Sequence, residues 1–392
     1  MSAEPSSWAT TTILDASSKI MDYRGRTPKK LGMEWGGGSI PAISARNVRM
    51  GRIDFSEEYY VGSDALYLRW MSQGDMEKGD SLITMEAPLG NVAAVPDNRK
   101  YILSQRTVLL RPKPELLDKA FFTQVLQSPD FQQSLRQGAT GSTAVGIQRK
   151  RLERLTVPLP PLSEQRGIAA VIADAADLIA AWERNIAKKQ AIKRGMIQQL
   201  LTGQVRLSGF DGDWMTSTYR DLVRIERGEA FKAGTAAPGT VPVIAAGRSP
   251  AAFTDRSNRA APVVTISSSG ASAGFVAYHP MPIFASDCST ISPNPRVDLS
   301  FVYYSLLLHQ ARIYQAQVGG AQPHVHAKDV YPLVVDVPPS VDEQRAIAVV
   351  LDDVEAEIVQ LKASLLKAQH IWEGLTQQLL TGRTRLPMKE AV

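Results

Sequence analysis

Cysteine is almost absent, with Cys288 alone in 392 residues. One thiol cannot form an intrachain disulfide, and no Cys cluster exists to hold zinc or iron and sulfur. Redox chemistry therefore has no support, and a reducing, cytoplasmic setting is expected. Long apolar runs are missing too. No window reaches the ~18 consecutive apolar residues of a membrane span, and the opening MSAEPSSWATTTILDASSKI has no basic stretch leading into an apolar core. Neither a secreted nor a membrane-spanning chain is expected. With 44% hydrophobic residues, 21% charged, 24 Pro and 28 Gly, the composition is that of a folded protein. The chain is too long for one core of usual size, so two or three domains are expected.

A repeat organises those domains. Residues 164–207 and 343–386, laid over each other without a gap, are identical at 20 of 44 positions: EQRGIAAVIADAADLIAAWERNIAKKQAIKRGMIQQLLTGQVRL against EQRAIAVVLDDVEAEIVQLKASLLKAQHIWEGLTQQLLTGRTRL. Each copy follows a proline stretch, VPLPPLSEQ or VDVPPSVDEQ, and ends in QQLLTG. Pro before and Gly after bound a long helix. Ser340 with Glu343 three residues on has the pattern of a capping box. In the second copy Ile347, Leu351, Val354, Ile358, Leu361, Leu365, Ala368, Trp372, Leu375 and Leu379 recur at steps of four and three, a coiled-coil seam. The first copy carries the same seam with Lys189 and Lys193 in it. Two like seams in one chain predict that the helices pair with each other, and the long block between them permits an antiparallel pair.

The blocks between the helices read as mixed α/β. KGDSLIT, NVAAVP and TVLLRP in the first block, and VPVIAAG, PVVTISSSG and GFVAYH in the second, read as strands broken by turns. Residues 115–136 and 299–316 each read as a helix beside the sheet. SSWATTTILD opens one block and GDWMTSTYRDL the other, yet between these anchors the two share little. The expected division is a first domain at 1–155, helical spacer and linker at 156–207, a second domain at 208–335, a second spacer at 336–386 and a tail at 387–392.

Charge is uneven. Residues 1–163 hold 21 Lys and Arg against 17 Asp and Glu, whereas residues 208–342 hold 10 against 11. Basic strings RGRTPKK, ARNVRMGR and QRKR suit phosphates. Base edges are read by Arg and Lys on guanine, Gln and Asn on adenine, and Ser and Thr on several. In the first block the candidates are Arg24, Arg26, Lys29, Lys30, Arg46, Asn47, Gln105 and Arg106, then Thr140, Ser142, Thr143 and Gln148. In the second they are Arg248, Ser267, Ser268, Ser269 and Ser272, then Gln322, His324, His326 and Lys328.

Catalytic patterns are weak. TISSSGASAGF has no nucleophile elbow, and no Walker motif occurs. His324, His326 and Asp329 are too few for a metal site. Asp287 beside Cys288 reads as turn and core. No catalytic residue, cofactor or metal is expected in this chain.

The paired EQR helices ending in QQLLTG, the linker TGQVRLSGFDGDW and the dissimilar blocks before each helix resemble the specificity subunit of type I restriction-modification systems. Residues 155–168 and 333–347 match that family's passage from domain to helix, and Gly203 and Gly382 match its helix-ending glycines. The resemblance implies two α/β target recognition domains on an antiparallel coiled coil, reading a bipartite, asymmetric double-stranded DNA target. It implies two methyltransferase subunits and two translocating restriction subunits as partners, with adenine N6 methylation and cleavage belonging to them. S-adenosylmethionine, ATP and magnesium would be the partners' ligands, and this chain has no NPPY-like or DPPY-like methyltransferase motif. Two other readings stay open: a solitary or phase-variable DNA-binding specificity subunit, and a non-catalytic protein scaffold.

Overall fold

The computed structural model describes residues 8–141, 145–232 and 237–386. They form two compact units, Met1–Ala181 with Leu365–Val392, and Trp182–Ser364. The division falls inside both long helices, so each unit contains a recognition block and half of each helix.

In the first unit an antiparallel four-stranded sheet has the order Ser17–Asp22, Thr107–Pro112, Ser81–Met85, Leu89–Ala94. A three-stranded sheet has the order Tyr60–Gly62, Ile40–Ile43, Ile102–Leu103. Ala9–Thr12 pairs with Thr156–Leu159. The second unit repeats this strand for strand. Its four-stranded sheet runs Val223–Arg227, Cys288–Pro293, Val263–Ser267, Val276–His279, and its three-stranded sheet Ala252–Thr254, Val241–Ile244, Phe284–Ala285. Met215–Thr218 pairs with Val334–Val337. The first unit adds a hairpin, Val48–Arg49 with Arg52–Ile53. Ser81–Met85 and Val263–Ser267 are buried at every position, as suits strands covered on both faces.

Each expected helix beside the sheet is two. Lys119–Gln127 stops at Ser128, extended at φ −63° and ψ 148°, and Pro129 opens Pro129–Gln137. A residue before proline is pushed out of the helical region, and proline offers no N–H to continue the ladder. In the second unit Leu299–Leu308 and Gln310–Gln315 divide at His309.

The long helices are Leu162–Leu201 and Val341–Leu380, 40 residues each, or ~60 Å at ~1.5 Å per residue. Both stop before a glycine in the left-handed region, Gly203 at φ 67° and Gly382 at φ 71°, where a Cβ would be strained. Within each unit the halves are antiparallel. Lys189 meets Glu357 at 2.7 Å, Lys193 meets Glu355 at 2.6 Å and Arg206 meets Glu343 at 2.7 Å, so one number falls as the other rises. In the other unit the Trp372 indole donates to the Ile172 carbonyl at 3.2 Å, and Arg385 Nη2 meets Glu164 at 2.7 Å. The lysines at seam positions are thus explained by facing carboxylates.

The repeated EQR is the joint between helix and block. Glu164 and Glu343, both buried, take the Arg that follows the other helix. Gln165 accepts from Asp118 N at 2.8 Å and donates to the carbonyls of Leu116 and Pro160. Gln344 does the same with Asp298 N at 2.8 Å, Arg296 and Pro338. The expected capping box is corrected here. Ser340 Oγ accepts from Asp342 N at 3.1 Å, but the Glu343 side chain is occupied by Arg206 and the Trp214 indole.

Candidate nucleic-acid interface

Equal strand orders, with matching register and backbone hydrogen bonds, make particular residues of the two units equivalent. Thr107 faces Thr84 as Cys288 faces Ser267, so Arg106 and Asp287 each immediately precede the same central strand. Met85 N donates to Arg106 O at 2.8 Å, and Ser268 N to Asp287 O at 3.3 Å. Ile147 N donates to Met85 O, and Val325 N to Ser268 O. Further out, the bridges Glu86–Gly146 and Thr140–Gly146 match Ser269–His324 and Val318–His324. The framework hydrogen bonds are the same while the side chains carried on it differ.

In the first unit a cavity of about 500 Å³ is lined by Arg46, Arg49, Gln105 and Arg106, with Trp35, Tyr59 and Tyr60 beside them. The Trp35 and Tyr60 rings stack at 5.3 Å and 7°. A neighbouring cavity of about 380 Å³ is lined by Arg24, Glu86, Thr140 and Gln148. Arg46 pairs with Glu58 at 2.8 Å and Arg106 with Glu86 at 3.6 Å, all four well exposed. Such exposed pairs are worth under ~1 kcal/mol each, so the guanidiniums can leave them for a phosphate or a base edge at small cost. Arg24 is held more firmly, through two nitrogens at 2.9 and 2.8 Å from Asp22. Burial alone would raise the Asp22 carboxyl, but the Arg24 guanidinium holds it below the usual carboxylate range.

The remaining candidates of this block lie elsewhere. Arg26 bonds the Trp70 carbonyl and Ser72 and covers the Tyr23 ring at 4.6 Å. Lys29 and Lys30 sit in the turn Lys29–Leu31, with Lys30 Nζ donating to Gly25 O at 2.7 Å. Asn47 is a correction, because it is fully buried. Its Oδ1 accepts from Ser44 and its Nδ2 donates to the carbonyls of Glu57 and Glu58, so it builds the loop that carries Arg46. Ser142 and Thr143 lie outside the described residues.

In the second unit the cavity equivalent to the smaller of the first unit's two, about 890 Å³, gathers Ser268, Ser269, Gln322, His324 and His326, joined by Arg227, Phe231 and Asp287. The two imidazole rings are parallel at 6.0 Å. Ser269 Oγ donates to Asp287 Oδ2. Arg248 and Ser267 line a different cavity, about 290 Å³, where Arg248 lies over the Phe275 ring at 5.3 Å. Ser267 is buried, its Oγ donating to Ala246 O at 2.8 Å. Ser272 belongs to the turn Gly270–Ser272, and Lys328 to the short helix Ala327–Val330, exposed outside either cavity. Asp329 accepts from His326 N at 2.8 Å as a helix cap.

Sequence reasoning missed Glu86, Arg227 and the aromatic rings, placed Arg49 only within a basic string, and set Asp287 aside as turn and core. Cys288 does belong to the core: burial raises its thiol to about 11. One overlooked signal was available, since IPAI at 40–43 and VPVI at 241–244 occupy the same strand with proline at the same place.

Fold and surface together define a duplicated α/β reader on paired helices. The chain belongs to the family described as type I restriction modification DNA specificity domain, whose model matches residues 5–193 and 211–368. A curated relative, the type I restriction enzyme MjaVIII specificity subunit of Methanocaldococcus jannaschii, is 28% identical over 144 residues, covering 34% of this chain and 33% of the relative. The aligned stretch is thus about a third of that relative's length. The crystal structure of a type I restriction-modification S subunit from M. genitalium has the same fold, with a TM-score of 0.66 at 17% identity over 99% of both chains. A chain from a structure described as the basis of complex assembly and conformational transition of the type I R-M system has a TM-score of 0.61 at 16% identity, over 98% of this chain and 100% of that one. Among the described residues no helix is long and apolar enough to cross a membrane.

Proposed function

We propose that this chain is the non-catalytic, cytoplasmic subunit that gives a type I restriction-modification complex its DNA sequence specificity. Each block reads one half of a bipartite, asymmetric double-stranded target, and the paired helices set the spacer. The observation that carries this reading is the strand-for-strand equivalence of two blocks whose cavities at the same place are lined by different polar side chains. One scaffold used twice with unlike readers suits a target with two unlike halves. Two weak readers multiply their affinities when joined at a fixed span.

Two methyltransferase subunits and two restriction subunits complete the complex, and S-adenosylmethionine, ATP and magnesium serve those partners. Lys188, Lys362 and Lys367 on the long helices belong to the surface such partners would cover. The test is base-resolved mapping of adenine methylation in cells that hold the partner methyltransferase with and without this chain. A bipartite motif present only with the chain is expected; no such motif, with the partner stably expressed, would favour a protein scaffold instead.

A further inference from the structure

We propose that Arg106 and Asp287 are equivalent specificity-determining residues of opposite hydrogen-bonding sense, Arg106 reading a guanine in one half-site and Asp287 a cytosine in the other. The assignment rests on the DNA-reading function proposed above and deepens it. Both residues immediately precede the central strand of their sheet, and both offer their carbonyl to the same backbone N–H position. Arg106 lines the cavity of about 500 Å³ in the first unit and Asp287 that of about 890 Å³ in the second.

Arg106 is marked by its backbone as well. It has φ 63°, and Ala87, which lines the same cavity, has φ 42°; these are the only non-glycine residues in the left-handed region among those described. Side chains rarely adopt that region without cost, and such outliers concentrate where a protein binds. Glycine would fit this φ better, so the arginine side chain stands here against the backbone preference. Its guanidinium, half exposed, stands 3.6 Å from Glu86.

At the same backbone position Asp287 carries an acceptor and Arg106 a donor, each facing the cavity of its own unit. Ser269 takes one carboxylate oxygen, and a carboxylate has capacity for more than one donor. In the major groove an arginine pairs with guanine O6 and N7, and an aspartate accepts from the cytosine amino group.

The experiment is selection of bound DNA from a randomised double-stranded library by the purified full chain, in wild-type form and as Arg106→Gly, Asp287→Ala and Asp287→Asn. Arg106→Gly relieves the backbone, so its thermal midpoint should stay level or rise while guanine preference at one position falls roughly 5- to 150-fold. Asp287→Ala should relax one position of the other half-site by a similar factor. Asp287→Asn should shift that position from cytosine toward adenine, which asparagine pairs bidentately. An unchanged motif in these variants, or affinity lost evenly over all sequences as for a phosphate contact, overturns the assignment alone. A wild-type chain that enriches no motif overturns the reading beneath it, and the assignment with it.

Discussion

Gln344 is buried and spends its whole amide on the backbone, accepting from Asp298 N and donating to the carbonyls of Arg296 and Pro338. Gln344→Leu keeps the volume and removes all three bonds. An unsatisfied buried backbone group costs ~1–3 kcal/mol, so a loss of at least ~2 kcal/mol in urea unfolding is expected, whereas a change within error would mean water replaces the amide. His309 adds a dependence on pH. Burial lowers its pKa, against the raising effect of the Ser305 carbonyl, and burial lowers that of His279 as well. The folded chain therefore refuses a proton that the unfolded chain accepts near ~6.5. The stability contributed by neutral imidazole is present above that value and is lost as pH falls through it toward the folded pKa. The thermal midpoint should drop between pH 7 and 5, and His279→Gln with His309→Gln should flatten that drop; an equal slope in the double variant contradicts the linkage. At this scale the sequence was least legible. Arg46, Gln105 and Arg106 were chosen by residue type and do share a cavity, but Asn47 was chosen on the same ground and is buried. Whether a polar side chain faces solvent or ties down its own loop depends on carbonyls such as those of Glu57 and Glu58, which local sequence does not place.

The elements were far more legible, because each is set by a local pattern. Both long helices were evident from their seams and from the glycines that end them. The six strands picked from apolar runs all occur, at Ser81–Met85, Leu89–Ala94, Thr107–Pro112, Val241–Ile244, Val263–Ser267 and Val276–His279. The break before Pro129 was not foreseen, although proline carries that signal openly. If the helix pair sets the target's spacer, a four-residue insertion after Met196 adds about one helical turn, ~5.4 Å. That is one to two base pairs at ~3.4 Å each. The methylated motif should then keep both half-sites and gain spacer. Changed half-sites with the old spacer would remove the helices from that role.

For the whole molecule, the duplication was visible in the helices but stopped at the blocks, which share little sequence. Their identity of strand order emerged only in three dimensions, since neighbouring strands such as Ser17–Asp22 and Thr107–Pro112 are far apart in the chain and no local pattern records their pairing. The equivalences Arg106 with Asp287, Glu86 with Ser269 and Gln148 with His326 follow from that order and from the register and hydrogen bonds it carries. They turn a scattered roll of polar loop residues into two versions of one surface. The most direct test of this account is to replace residues 208–342 with the corresponding block of a relative and map the methylated motif. The account predicts that one half-site changes while the other half-site and the spacer stay as they were. A change in both half-sites would contradict it.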